Sequence, residues 1–67
     1  MKELSKIKNY IYGKGIMSKF ASNSVIGIHK GKQFKIYYSN KQQLIIEINN
    51  KKYTSKDSRE IVRLLNS

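Results

Sequence analysis

The feature that most limits what this chain can fold into is an alternation. From position 25 to 49 the apolar residues Ile26 and Ile28, then Phe34, Ile36 and Tyr38, then Leu44, Ile46 and Ile48 all fall on even positions. Side chains of a strand alternate between faces, so three such runs read as three strands that share one apolar face. Residues facing each other across antiparallel strands lie on one side of the sheet, so a common even face needs loops of odd length. Lys30-Gly31-Lys32 and Asn40-Lys41-Gln42 are both three-residue candidates. The reading predicts strands over 25–29, 33–38 and 43–49, with Ile28 opposite Phe34 and Ile36 opposite Ile46. On the reverse face Lys35 then stands across from Glu47 as an opposite-charge pair. His29 neighbours Gln33 and Asn49 there, and Val25, Tyr37 and Ile45 form an apolar row. That row is core if one helix covers each face, and open to a partner if both helices cover the even face.

Helices flank the strands. Leu4, Ile7 and Ile11 recur at helical spacing, which predicts an amphipathic helix over 2–12 carrying Lys2, Lys6 and Lys8. Gly13-Lys14-Gly15 ends it, since glycine supplies the positive φ that a helix exit often requires. Residues 16–23 fit either another helical turn or an irregular segment on the core. Asn49-Asn50 allow a tight turn into a short fourth strand, because asparagine tolerates positive φ. The last helix carries Ile61, Leu64 and Leu65 as its stripe. Thr54 with Asp57 suits a capping box, Ser55 is a competing cap, and Asp57 and Glu60 suit the helix dipole. The expected class is α+β: an α-β-β-β-α domain spanning 1–67, with a three-stranded antiparallel meander packed on two helices.

Charge directs the functional reading. Fourteen basic residues against four acidic ones give a net charge of +10 on 67 residues. Between Leu4 and Ile46 there is no acid, while eight lysines fall in that interval. Such a field draws polyanions, nucleic acid before acidic proteins or anionic lipid. Twelve of the fourteen are lysine, which meets phosphate as a point charge and lacks the bidentate fork of arginine. That favours backbone binding over base reading. No cysteine is present, and one histidine with four acids makes neither a metal site nor a cofactor site an expectation. The amino terminus has no apolar run near the roughly 20 residues of a membrane span, so a cytoplasmic protein with no membrane partner is expected.

Two lysine groups are the candidate site. Lys30 and Lys32 sit at the first hairpin tip with His29 beside them, and Lys51, Lys52 and Lys56 precede and open the last helix, whose free amides also suit a phosphate. In a meander the first hairpin loop and the turn after the third strand lie at one end of the sheet, so both groups reach one backbone. Six phosphates engaged imply a log–log salt slope of roughly −5 on duplex DNA. His29 has no acid within ten residues. Phosphate contact is therefore preferred over catalysis, although a histidine base among lysines is how a small ribonuclease is built.

The element order, the length and the basic loop resemble the double-stranded-RNA-binding domain. That family carries a Gly-Pro-x-His-x-x-x-Phe loop, and Gly27-Ile28-His29-Lys30-Gly31-Lys32-Gln33-Phe34 keeps its glycine-to-phenylalanine spacing, with the proline missing and the histidine one residue early. Lys51, Lys52 and Lys56 answer its helix lysines, while Asp57, Ile61 and Val62 depart from its pattern. The resemblance implies recognition of duplex by shape and phosphates. Gly27-Ile28-His29 also resembles the Gly-Ser-His motif of HicA-type messenger-RNA interferases, with the serine replaced, which implies a ribonuclease toxin using His29. A third resemblance, to three-strand-plus-helix DNA-binding modules of mobile-element integrases, implies reading by Lys35, Tyr37 and Ile45 on the sheet face. The expected function is non-catalytic binding of duplex nucleic acid. The alternatives are a protein-binding inhibitor or adaptor of a phage or mobile element, acting through Val25, Tyr37 and Ile45 on a nucleic-acid enzyme or a second copy, and the ribonuclease.

Overall fold

The computed structural model describes residues 2–67, with side chains from Leu4 onward, so the Lys2 side chain lies outside the described residues. The chain runs α1 (Lys2–Gly13), β1 (Lys19–Ala21), β2 (Ser24–His29), β3 (Lys32–Tyr38), β4 (Leu44–Ile48), β5 (Lys51–Ser55) and α2 (Ser58–Asn66). The strands form one antiparallel meander in chain order. The class is α+β, with the expected helix–strands–helix order. The sheet is wider than three strands because an edge strand is added at each side. β5 follows Asn49-Asn50, and β1 is drawn from the 16–23 stretch that carried no clear period.

Both helices lie on one face of this sheet. Leu4, Ile7 and Ile11 of α1 and Ile61 and Leu65 of α2 share a single buried cluster with Val25, Phe34, Ile36, Leu44, Ile46 and Ile48. In β3 and β4 the core residues are even-numbered, as the alternation predicts, and Ile36 pairs with Ile46 and Lys35 with Glu47. The loop between them has its three residues, Asn40 to Gln42. The Ser39 N–H donates to the Gln43 carbonyl at 2.9 Å, and Gln42 takes the positive φ of 64° that closes such a loop.

β2 reverses that parity. Val25 stands opposite Ile36, and Gly27, not Ile28, stands opposite Phe34. Val25 is fully buried, whereas Ile28 is 62% exposed, so Ile26 and Ile28 leave the core for the opposite face. The cause is the turn: Lys30 and Gly31 have φ of 52° and 78° and form a two-residue hairpin, with Lys32 already paired to His29. Positive φ at both central positions gives the type I′ geometry whose twist matches the strands, and a one-residue slip moves every β2 side chain to the other face. Gly27 shows why this register is taken. A Cβ built there would lie 2.6 Å from the Met17 carbonyl oxygen and 2.7 Å from Phe34 Cζ, so the Phe34 ring packs over a residue without a side chain. Since Val25 is core, the expected Val25–Tyr37–Ile45 row does not exist.

The helix ends are built from named contacts. At the end of α1 the Ile16 N–H donates to the Ile11 carbonyl at 2.9 Å and the Gly15 N–H to the Tyr12 carbonyl at 3.0 Å, with Gly15 at φ 85°. This is a Schellman exit, and it buries Ile16 beside Ile11. At the start of α2, Asp57 Oδ1 accepts from the Glu60 N–H and Glu60 Oε1 accepts from the Lys56 N–H, both at 3.1 Å. The N-cap is therefore Asp57, with Glu60 reaching back one residue beyond it to Lys56, and neither Thr54 nor Ser55 is the cap. Those two residues are held in β5 opposite Ile45 and Leu44, which delays the helix. Among the described residues no helix is long and apolar enough to cross a membrane.

Candidate nucleic-acid interface

With both helices on one side, the other face of the sheet is uncovered among the described residues. The registers line up one row across all five strands of it: Lys19, Ile26, Lys35, Glu47 and Lys52. Neighbouring strands are about 4.8 Å apart, so the row spans about 19 Å and its lysines recur about every 10 Å. All three ammonium-bearing residues are exposed. The one acid in the row is already occupied, since Glu47 Oε2 accepts from the Tyr37 hydroxyl at 3.0 Å. Lys35 Nζ stands 5.5 Å from the centre of the Tyr37 ring, a cation–π distance. Desolvation first, then the hydrogen bond to Glu47 and its negative charge, raise the Tyr37 phenol above its ordinary value of 10.0. The phenol therefore remains a neutral donor at neutral pH, tying down the carboxylate that most opposes an anion on this face.

The structure separates the residues that the sequence grouped. Lys35, Tyr37 and Lys52 come together on the uncovered face. Lys30 projects at the tip of the β2–β3 turn. His29 does not join Lys35 and Tyr37 and does not neighbour Gln33 and Asn49. The β2 slip turns it to the helix side opposite Lys32, where its Nε2 lies 2.9 Å from Asn66 Oδ1. Lys32 Nζ donates to the Ser67 carbonyl, placing a cation at the carbonyl end of α2, where the helix dipole favours it. Lys51 also faces the helix side, beside a groove of about 290 Å³ that Lys32 and Tyr53 help line. Its neighbour Lys52 points the opposite way, as successive strand residues must. Lys56 follows the far end of β5, remote from the Asn49-Asn50 turn, so it does not cluster with Lys51 and Lys52. At the start of α2 the Glu60 N–H is taken by the Asp57 carboxylate and the Glu60 carboxylate folds back onto the Lys56 N–H, so two acids stand where a phosphate would have to approach.

One lysine of the row was missed. Lys19 reaches it through β1, and nothing in the 16–23 stretch marks a strand on period alone. The signal was indirect: Ile26 needs an edge neighbour, and Ala21-Ser22-Asn23-Ser24 contains turn-forming residues. In comparisons with protein-family models, curated proteins and solved structures, nothing matches the chain.

Proposed function

We propose that the chain binds nucleic acid, chiefly duplex, by laying the uncovered face of its sheet across the phosphate backbones. The observation that carries this reading is the Lys19–Lys35–Lys52 row on a face that no helix covers. At about 19 Å the row is wider than the roughly 12 Å major groove of B-DNA. Its end lysines thus reach phosphates on both sides of a groove, with Lys35 as a third phosphate contact between them and Tyr37 beside it. Lysine point charges suit backbone contact, and the net charge of +10 adds long-range attraction. Binding is preferred to cleavage because the His29 ring is engaged by the Asn66 amide and its cross-strand neighbour is a lysine, not an acid.

Lys19, Lys30, Lys35 and Lys52 engage about four phosphates, which gives a log–log salt slope of roughly −3.6 on duplex DNA. This is shallower than the sequence alone suggests, because His29, Lys32, Lys51 and Lys56 are turned elsewhere and only Lys19 and Lys35 take their place. Fluorescence anisotropy titrations of a labelled duplex at several salt concentrations measure the slope. A slope near zero, or no binding in low salt, refutes the reading. The adaptor alternative is favoured by one observation, the exposed Ile28 on the same face. Nuclease-resistant capture of one stoichiometric acidic protein, without oligonucleotide binding, would decide for it.

A further inference from the structure

The uncovered face is not flat. Its end nearest the two tight turns holds a recess of about 650 Å³, within the 300–1,000 Å³ range of small-ligand sites. Met17, Ile26 and Ile28 give it an apolar wall, and Met17 and Ile28 are 67% and 62% exposed, an unusual outlay of apolar surface on so basic a chain. Lys19 and Lys35 stand on either side of Ile26, about 10 Å apart at two strand spacings. Gln33, Asn50 and Glu47 also line it; each side-chain amide carries both a donor and an acceptor, and the Glu47 carboxylate already accepts from the Tyr37 hydroxyl.

An apolar wall, paired amides and two flanking cations together match one chemical class. We propose that the recess takes a single unpaired nucleobase, its ring on Ile26 and Ile28, its hydrogen-bonding edge on Gln33 and Asn50, and its flanking phosphates on Lys19 and Lys35. The inference rests on the nucleic-acid reading above and deepens it: the preferred ligand is a duplex interrupted by an extrahelical or terminal unpaired nucleotide. A perfect duplex satisfies the lysines and leaves the apolar wall wet. Proteins that take up a single extruded base hold it between aromatic or apolar side chains, and this recess offers room for one.

The test uses three labelled probes of one length, made as DNA and as RNA: a perfect duplex, the same duplex with a single-nucleotide bulge, and that bulge with its base removed. The full chain binds the bulged probe about tenfold tighter than the other two. Ile28→Ser, at a position too exposed to threaten folding, loses that preference and keeps its affinity for the perfect duplex. Equal binding of all three probes, or an Ile28→Ser variant weakened equally on each, overturns the nucleobase site and leaves backbone binding intact. Failure to bind any probe, with retention of polyglutamate instead, overturns both.

Discussion

Replacing Gly27 with alanine tests the register of β2, and with it which face of the sheet is open. In this fold the added methyl meets the Met17 carbonyl oxygen at 2.6 Å and the Phe34 ring at 2.7 Å, close to 1 Å inside the roughly 3.5 Å of optimal contact. One obstacle is backbone and the other is a buried ring, so neither yields without moving the core. Overpacking of this kind costs about 1–3 kcal/mol. The unfolded-state gain from replacing glycine offsets about 0.4–1 kcal/mol. The net expectation is a loss of about 1–2 kcal/mol, from a total of about 3–10 kcal/mol for a chain of this length. At about 4–8 °C per kcal/mol, circular-dichroism melts show the midpoint falling by about 10 °C. Phe34→Leu in the same chain removes the ring half of the clash and leaves the Met17 carbonyl oxygen in place, so the double variant loses somewhat less than the sum of the singles. If Gly27 instead lay on the open face, as the even-face register requires, Gly27→Ala would be neutral or stabilising. A midpoint equal to or above that of the unaltered chain therefore refutes the register.

Two further outcomes follow from the same faces. Val25→Ala removes fully buried atoms and costs about 2 kcal/mol in guanidinium unfolding, whereas Ile28→Ala changes stability by less than about 0.5 kcal/mol; the reverse order contradicts the β2 pairing. Because the folded phenol of Tyr37 sits above 10.0, its contribution to stability is full below that pH and is lost as pH rises through the folded value, where the unfolded chain has already released its proton. Glu47→Gln removes both the carboxylate charge and the anionic acceptor, so phenolate absorbance shows Tyr37 ionising at lower pH; an unchanged titration contradicts the Tyr37–Glu47 bond.

Much of the fold was legible because period and turn chemistry agreed. The even residues of β3 and β4, the odd loop between them and the Asn49-Asn50 turn follow from alternation and φ preferences, and the structure keeps them. The β2 slip was not legible from period, because Val25-Ile26-Gly27-Ile28 offers an apolar residue to either face. The discriminating residue was Gly27, whose missing side chain is explained only once the Phe34 ring is seen to need the space. That one-residue shift also decided the site. It carried His29 away from Lys35 and Tyr37 and carried Ile26 and Ile28 onto the open face. Lys52 was separated from Lys51 by the strand that holds both, and Lys19 was hidden because a three-residue edge strand is too short to show a period.

On the proposed function the Lys19–Lys35–Lys52 row, and not net charge alone, holds the nucleic acid. Two triple variants test it at identical charge, each lowering the net charge from +10 by three. One replaces Lys19, Lys35 and Lys52 with alanine; the other replaces Lys6, Lys14 and Lys41, which are exposed outside the row. Each lysine that meets a phosphate contributes about one unit to the salt slope. The first variant therefore flattens the slope for duplex binding by about three, while the second leaves it close to that of the unaltered chain. Equal flattening in both would show that the charge acts diffusely and that the row is not the interface.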